Sequence, residues 1–280
     1  MSLALKMREE LDDWLNSAIA SSNMVDAYLI LGDVPLAVRH AEAGLEYAKR
    51  SGVQQQIQSK AISLARAAHY AGDFAGSASL FESAEKLFFS WFYPGVAPVA
   101  FLCSIEGLLY CDLLLDQGRY LEAELRAVQS LEVAKVSELV LDIALSHLSV
   151  AVAHIARLSA GGEGDAEGAM HHIRGCMKIL SRTNRLAYLP LGFLARAALY
   201  THTCAFPDAR RDLDEALTLA TRCGFRLHEA DAHLGHARLA LAEGNPTAAR
   251  EHFARATKIV NETGYHRRDG ELAALERALT

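Results

Sequence analysis

The sequence predicts an all-α solenoid of about six stacked helical hairpins, and three features of the chain support this prediction. A turn phrase of glycine, aspartate and an apolar residue recurs, most clearly at Gly72-Asp73-Phe74. Small residues recur at fixed distances from each turn, and 51% of the residues are hydrophobic, with many alanines and leucines that favour helix. Self-similarity at a period of about 40 residues is typical of repeat arrays in which each unit packs on its neighbours.

Six turns mark the repeat. They begin at Gly32, Gly72, Gly118, Gly164, Cys204 and Gly244. Their spacings are 40, 46, 46, 40 and 40 residues, and a small residue lies five and twelve residues after each one. A further buried contact is expected seven residues before the turn, at Val25, Ala65, Cys111, Ala153, Ala197 and Ala237. Because seven residues make about two helical turns, these positions share a face and allow helices to approach closely.

The hairpins form one predicted domain over residues 1–280. Its units span about 10–52, 54–95, 97–137, 139–184, 186–224 and 227–264, and a capping helix spans 269–280. Pro35, Pro207 and Pro246 stand at the starts of second helices, where proline is tolerated. The glycines of 161–164 follow a helix and lack a Gly-Lys-Ser/Thr sequence, so they indicate a four-residue insertion and not a phosphate loop.

Residues 91–95, Trp-Phe-Tyr-Pro-Gly, interrupt the second unit and are expected to form an aromatic loop. Two interpretations stay open. The loop either folds over the joint between units two and three or offers an exposed aromatic patch to a partner, including a second copy in a homodimer.

Composition excludes several classes of protein. A net charge of −6 argues against nucleic acid as the main partner. Five scattered cysteines without a Cys-x-x-Cys pair indicate reduced residues of a cytoplasmic protein. The apolar runs are too short for a membrane span, and the first residues do not read as a signal peptide.

The turn with small residues seven before, five after and twelve after it resembles the tetratricopeptide repeat over roughly residues 10–264. The period is longer than the usual 34 residues, and the proline near the end of the second helix is absent. Long-period arrays of this kind resemble the sensor regions of bacterial signal-transduction ATPases, and the tail 264–272 is similar to the end of such arrays. The resemblance implies a right-handed superhelix whose first helices line a concave groove.

The resemblance also implies which residues face a partner, namely those thirteen, ten, six, three and two residues before each turn. These are Asp26, Arg66, His69, Tyr70, Asp112, Asp116, His147, His154, Arg157, His202, Asp231 and Arg238. Oriented charges on a rigid frame suit the reading of a peptide, although any solvated face of a solenoid also carries charge. The Lys and Asn pairs of the family's carboxylate clamp are not found.

The chain carries no phosphate loop, no Gly-x-Ser-x-Gly and no apparent nucleophile pair, so no enzymatic activity and no cofactor are expected. Glu229, His233 and His236 share one helix face and contain metal-ligand chemistry, but the spacing is not that of a known zinc motif. A solvated or groove-facing helix surface is the preferred interpretation. The sequence therefore favours a scaffold that binds a protein or peptide. The alternative is the sensor or regulatory region of a larger bacterial signalling ATPase or transcription regulator.

Overall fold

The structure is a computed structural model and describes residues 11–92, 102, 104–183 and 185–280. Within these residues it contains helices and no strands, which confirms the predicted all-α repeat fold. The α-helices are α1 Trp14–Leu31, α2 Val34–Ser51, α3 Gln54–Tyr70, α4 Phe74–Phe92, α5 Ser104–Asp116, α6 Tyr120–Ser137, α7 Val140–Ser159, α8 Ala166–Thr183, α9 Leu189–His202, α10 Phe206–Cys223, α11 Arg226–Ala242, α12 Pro246–Thr263 and α13 Asp269–Leu279. A short 3₁₀ helix, His266–Arg268, precedes α13.

The chain divides into two compact units. Unit 1 comprises residues 1–100 together with 263–267, and unit 2 comprises 101–262 together with 268–280. In unit 1, the hairpins α1–α2 and α3–α4 stack, and the first helices α1 and α3 contact each other. In unit 2, the first helices α5, α7, α9 and α11 likewise contact one another in succession. Each unit therefore has an inner row of first helices.

Most of the predicted turns have the expected geometry. Gly32, Gly72, Gly118 and Gly244 have left-handed φ values of 78°, 86°, 74° and 74°, which a glycine adopts without the clash of a Cβ atom. At Gly72, the next amide, that of Asp73, donates to the carbonyl oxygen of Ala68 at 2.9 Å. This bond satisfies a carbonyl that the end of α3 leaves open. Cys204 holds the same conformation with φ 59°.

The small residues occupy close helix contacts, as the sequence predicts. Ala37, Ser77, Ala84, Ala123 and Ala216 are completely buried. A Cβ atom added to Gly44 on α2 would stand 3.1 Å from the Cβ of Ser21 on α1. The spacing of small residues thus sets how closely the two helices of a hairpin pack.

The insertion in the fourth hairpin differs from the prediction in detail. The left-handed turn residue is Gly161, with φ 76°, and not Gly164. Asp165 starts the second helix, since its Oδ1 accepts from the Gly168 amide at 2.8 Å. Asp73 does the same for Gly76 at 2.9 Å, directly after the turn. The insertion therefore separates two roles, ending one helix and capping the next, that adjacent residues fill elsewhere.

Gly164→Ala is expected to destabilise the fourth hairpin more than Gly161→Ala. A Cβ atom at Gly164 would stand 2.5 Å from the carbonyl oxygen of His154 and 3.0 Å from the Leu158 amide nitrogen. Backbone atoms of a helix cannot give way cheaply, so we expect a cost of about 1–3 kcal/mol or more. Gly161 has open space, and only its left-handed φ opposes alanine, at about 1 kcal/mol. Urea unfolding of both variants measures the difference, and equal midpoints would contradict it.

The second helix of the second hairpin is longer than predicted, because α4 continues through Phe92. The remaining residues of the expected aromatic loop, 93–95, lie outside the described residues. The interpretations of that loop therefore stay predictions.

The core of unit 2 centres on α7 and α8, where Leu145, Leu148 and Ile173 are almost completely buried. Helix α7 is long and apolar enough to cross a membrane by length and composition, and half of it is buried inside the protein. A core helix meets the same criterion, which makes this weak evidence for a membrane span.

Candidate partner-binding surface

In unit 1, two of the predicted partner-facing residues bind each other. The guanidinium of Arg66 on α3 donates to the carboxylate of Asp26 on α1. Arg66 is mostly buried, and its Nε has no hydrogen-bond acceptor. Lys60 lies nearby and is 6% exposed. Burial lowers the pKa of Lys60, and the Asp26 carboxylate partly opposes that shift.

The other two predicted residues of unit 1, His69 and Tyr70, are engaged by aromatic neighbours. His69 is 1% exposed and lies edge-on to Phe74, with ring centroids 5.6 Å apart. The ring of Tyr70 meets Tyr265 at 5.4 Å, within the segment 263–267 that packs in unit 1. His69 therefore contributes to packing, and one edge of Tyr70 is already covered.

In unit 2, α7 presents a charged group against α6. The Nη1 of Arg157 donates to Oε2 of Glu124 at 2.5 Å. The Nδ1 of His154 lies 4.0 Å from the other oxygen of Glu124 and is buried without a hydrogen-bond partner. The repeat spacing predicts His154 and Arg157 but not Glu124, because Glu124 lies on a second helix.

At the end of unit 2, a network of ion pairs joins α11 to α13. The Nε of Arg268 donates to Asp231 at 2.7 Å, and its Nη1 donates to Glu271 at 2.7 Å. Glu271 also accepts from Arg238. Burial raises the pKa of Asp231, but the positive charge of Arg268 and the hydrogen bonds from His228 and Arg268 together outweigh it, and the net shift is downward. The predicted residues Asp231 and Arg238 therefore hold the last helix in place.

Three further predicted residues lie on the first helices of unit 2. Asp116 on α5 and His202 on α9 are exposed, and Asp112 is half-buried. Burial raises the pKa of Glu271, but the positive charges of Arg238 and Arg268 lower it more, and the net shift is downward. The carboxylates of Asp231 and Asp116 partly oppose that lowering. The first-helix face of unit 2 thus carries both signs of charge, and some of these groups remain accessible.

His147 has a different partner from the one expected. Its Nδ1 lies 2.8 Å from the Nδ1 of His172 on α8, so it joins the two helices of its own hairpin. Burial, followed by the neighbouring His172, lowers the pKa of His147 to about 4. The sixth hairpin repeats this arrangement, with 3.0 Å between the Nδ1 atoms of His233 on α11 and His252 on α12.

The three residues considered for a metal site have other contacts. The expected solvated surface is wrong for His233 and His236, which are 4% and 5% exposed. Glu229 accepts from Arg226 at 2.5 Å, and the ring of His236 stacks on His252 with centroids 4.5 Å apart. Among the described residues, no group of three or more His, Cys, Asp or Glu side chains has the geometry to hold a metal ion.

The fifth hairpin contains a buried ion pair that the repeat spacing does not predict. The guanidinium of Arg196 on α9 donates twice to Asp212 on α10, at 2.6 and 2.8 Å. The Asp212 side chain is only 1% exposed. The signal in the sequence was the position of Asp212 on an otherwise apolar face of α10, where a carboxylate needs a partner.

Known proteins resemble this chain in fold and not in overall sequence. No protein-family model matches the chain, and no curated protein matches its sequence. A Rap protein complexed with Competence and Sporulation Factor has a similar structure, with a TM-score of 0.63 and 16% identity over 88% of this chain and 69% of that one. Aspartyl phosphate phosphatase F from Bacillus subtilis is also similar, with a TM-score of 0.60 and 10% identity over 98% of this chain and 73% of that one.

Both neighbours are helical repeat proteins of the tetratricopeptide-like type. The chain has the tetratricopeptide-like repeat fold. The resemblance drawn from the turns and small residues is confirmed at the level of the fold. The similarity to sensor regions of signal-transduction ATPases stays a prediction.

Proposed function

We propose that this tetratricopeptide-like protein is a scaffold that binds a protein or peptide segment along the first-helix face of unit 2, without catalysis. The Arg157, Glu124 and His154 group is the main support. It holds a cation and an anion at a half-buried position, together with a histidine nitrogen that has no partner. An arriving backbone or side chain would supply the missing hydrogen bond, and an unmet buried polar atom is otherwise costly.

The charges of this face favour a segment that carries both signs. Ion pairs between partly exposed side chains contribute little stability, so a partner can exchange with them at small cost. Glu124 favours a basic group and Arg157 an acidic one, while the packed helices α6 and α7 fix the distance between them. Oriented charges on a preorganised frame give specificity more than affinity.

The solved neighbours are consistent with a binding role. One is a Rap protein whose structure holds Competence and Sporulation Factor. A scaffold of this fold thus accommodates a partner in at least one protein. The proposal for the present chain rests on its own polar groups, since the identity of 16% carries the fold alone.

The proposal is tested by selecting ligands from a random peptide library on the immobilised protein. We expect Arg157→Gln/His202→Gln to weaken the best selected peptide about tenfold or more, because two accessible polar contacts are lost. The matched control is Arg174→Gln/Arg222→Gln, which removes two exposed residues of second helices. Fluorescence anisotropy measures each affinity. Equal affinity of both double variants would contradict a site on the first helices.

The absence of catalysis is a separate part of the proposal. The second neighbour is named an aspartyl phosphate phosphatase, so an acyl phosphate is the relevant substrate to test. We expect no hydrolysis of acetyl phosphate above the rate without protein. Turnover that scales with protein concentration would contradict a purely binding role.

A further inference from the structure

Two cationic side chains of unit 1 share one anion. The Nη2 of Arg66 on α3 donates to Oδ1 of Asp26 on α1. Lys60 lies on the same helix as Arg66, and the carboxylate of Asp26 is the one charged group that acts on the Lys60 pKa. Within the part of the chain that the structure describes, the amine of Lys60 makes no hydrogen bond and no ion pair. The place of the Asp26 carboxylate is therefore near both cations, and the three groups sum to one positive charge.

Lys60 is buried although the fold does not require a lysine at its position. The residue is 6% exposed, and a charged amine removed from water is costly unless an anion compensates it. Lys60 lies twelve residues before its turn. The equivalent first-helix positions hold Glu106 in the third hairpin and small residues in the others, namely Ala20, Ser149, Gly192 and Ala232. A small side chain thus meets the packing requirement, and the buried charge of Lys60 needs another explanation.

The guanidinium of Arg66 is only half occupied. Its Nη2 is bound to Asp26, but its Nε is buried and has no hydrogen-bond acceptor. Arg196 in the fifth hairpin shows the complete arrangement, because its Nε and Nη2 donate to the two oxygens of Asp212 at 2.6 and 2.8 Å. A carboxylate placed in the same way against Arg66 would accept from Nε and Nη2 together. This two-bond pairing is the stronger geometry of an arginine and a carboxylate.

Asp26 is held weakly at this place. Its side chain is 57% exposed, whereas that of Arg66 is 20% exposed. An ion pair with one partner so exposed to water contributes little stability, so another carboxylate can displace Asp26 at small cost. Asp26 thus leaves the Nε of Arg66 and the amine of Lys60 without an acceptor, and it can turn toward solvent.

We propose that Asp26 is an internal stand-in for a carboxylate of an acidic peptide, which binds at Lys60 and Arg66 on the first-helix face of unit 1. The arriving carboxylate accepts from the Nε and Nη2 of Arg66 and compensates the buried charge of Lys60, while Asp26 turns to solvent. A peptide fits this place better than a small acid, because the side chain there is more than half exposed and sites for small molecules enclose most of the ligand. The site lies in unit 1 and the surface proposed above lies in unit 2, so either proposal can fail alone.

Fluorescence anisotropy with a fluorescein-labelled tetraglutamate peptide at low salt tests the site. Arg66→Gln and Lys60→Met are each expected to weaken binding about tenfold or more, because each removes a charged contact. The matched control is Lys49→Met, which removes an exposed lysine of α2 and is expected to bind as wild type does. The corresponding tetraglutamine peptide is expected not to bind, since it carries no carboxylate side chain.

Asp26→Asn gives the most specific result. Loss of an ordinary contact residue weakens binding, whereas loss of a competing carboxylate is expected to strengthen it about threefold to tenfold. Glu46→Gln removes an equal charge from an exposed position of α2 and is expected to give no comparable gain. This control separates the displacement of Asp26 from a general change in net charge. The double variant Asp26→Asn/Arg66→Gln is expected to lose the gain, because the arginine that receives the peptide is absent.

Several results would overturn the proposal. Wild type and Asp26→Asn might both fail to bind the peptide, Asp26→Asn might bind no more tightly than Glu46→Gln, or Lys60→Met might bind as wild type does. Displacement of the labelled peptide by free glutarate as effectively as by unlabelled tetraglutamate would contradict a peptide ligand. Circular dichroism confirms that each variant is helical, and Lys60→Gln replaces Lys60→Met if that variant does not fold.

Discussion

Replacing Arg196 with methionine is expected to cost about 3–5 kcal/mol of the free energy of unfolding. Arg196 makes both hydrogen bonds to Asp212, and the carboxylate of Asp212 is 1% exposed. Methionine fills much of the arginine's volume but leaves that carboxylate buried without a counter-charge. Equilibrium urea unfolding of wild type and variant measures the loss.

Two further variants distinguish this mechanism from general damage to the fifth hairpin. Arg196→Met/Asp212→Leu removes both charges and is expected to recover most of the stability, since an apolar pair can replace a buried ion pair. Arg211→Met removes an exposed arginine paired with Asp208 and is expected to change stability by at most about 0.5 kcal/mol. A double variant as unstable as Arg196→Met would contradict the explanation.

Mild acid is expected to destabilise the protein through its paired histidines. Burial lowers the pKa of His233 to about 4 and that of His236 to about 4, and His252 adds to both shifts. His147 has the same shift. An unfolded histidine has a pKa near 6.5, so the unfolded state binds more protons below that pH. Stability is therefore complete above about pH 6.5 and falls as pH decreases toward 4.

The expected loss is about 2 kcal/mol at pH 5 for each such histidine, by proton linkage between pKa values of 6.5 and about 4. The charged neighbours belong to the same balance, because Arg210 lowers the pKa of His236 while Asp214 raises it. Urea midpoints measured between about pH 7 and about pH 4.5 give the slope of stability against pH. His236→Gln is expected to reduce that slope, and the exposed His202→Gln is expected to leave it as in wild type. An unchanged slope in His236→Gln would contradict the assignment.

The repeat was predictable because its determinants are local. A left-handed glycine at Gly72 and buried small residues at Ser77 and Ala84 follow from helix geometry and close packing, which sequence spacing records directly. The position of the insertion at 161–164 was predicted correctly, but the residue that makes the turn was not. In the other hairpins, the residue that ends the first helix and the residue that caps the second are adjacent, and here the insertion separates them. Only the backbone conformation shows that Gly161 makes the turn.

The contacts of the candidate site were less predictable, because they depend on which helices become neighbours. The spacing before the turns predicts Asp26, Arg66 and Arg157, but it gives no reason to expect Glu124 as the partner of Arg157. The cap residues Arg268 and Glu271, which bind Asp231 and Arg238, lie outside the repeat register altogether. Their ion pairs arise from tertiary packing that no spacing rule contains.

Exposed Leu125 on α6 illustrates a signal that is visible in the sequence only after the repeats are superimposed. Leucine at 125 is unremarkable alone, and it becomes informative against Arg39, His171 and Arg211 at the equivalent positions. A comparison of repeats within one chain thus separates residues that the fold requires from residues that it does not require.

Amide hydrogen exchange with and without the tightest selected peptide tests the central claim most directly. A peptide bound on the first-helix face is expected to slow exchange in α5, α7 and α9 of unit 2, and to leave the outer faces of α8 and α10 unchanged. Protection confined to second helices, or no protection in unit 2 at saturating peptide, would contradict the account.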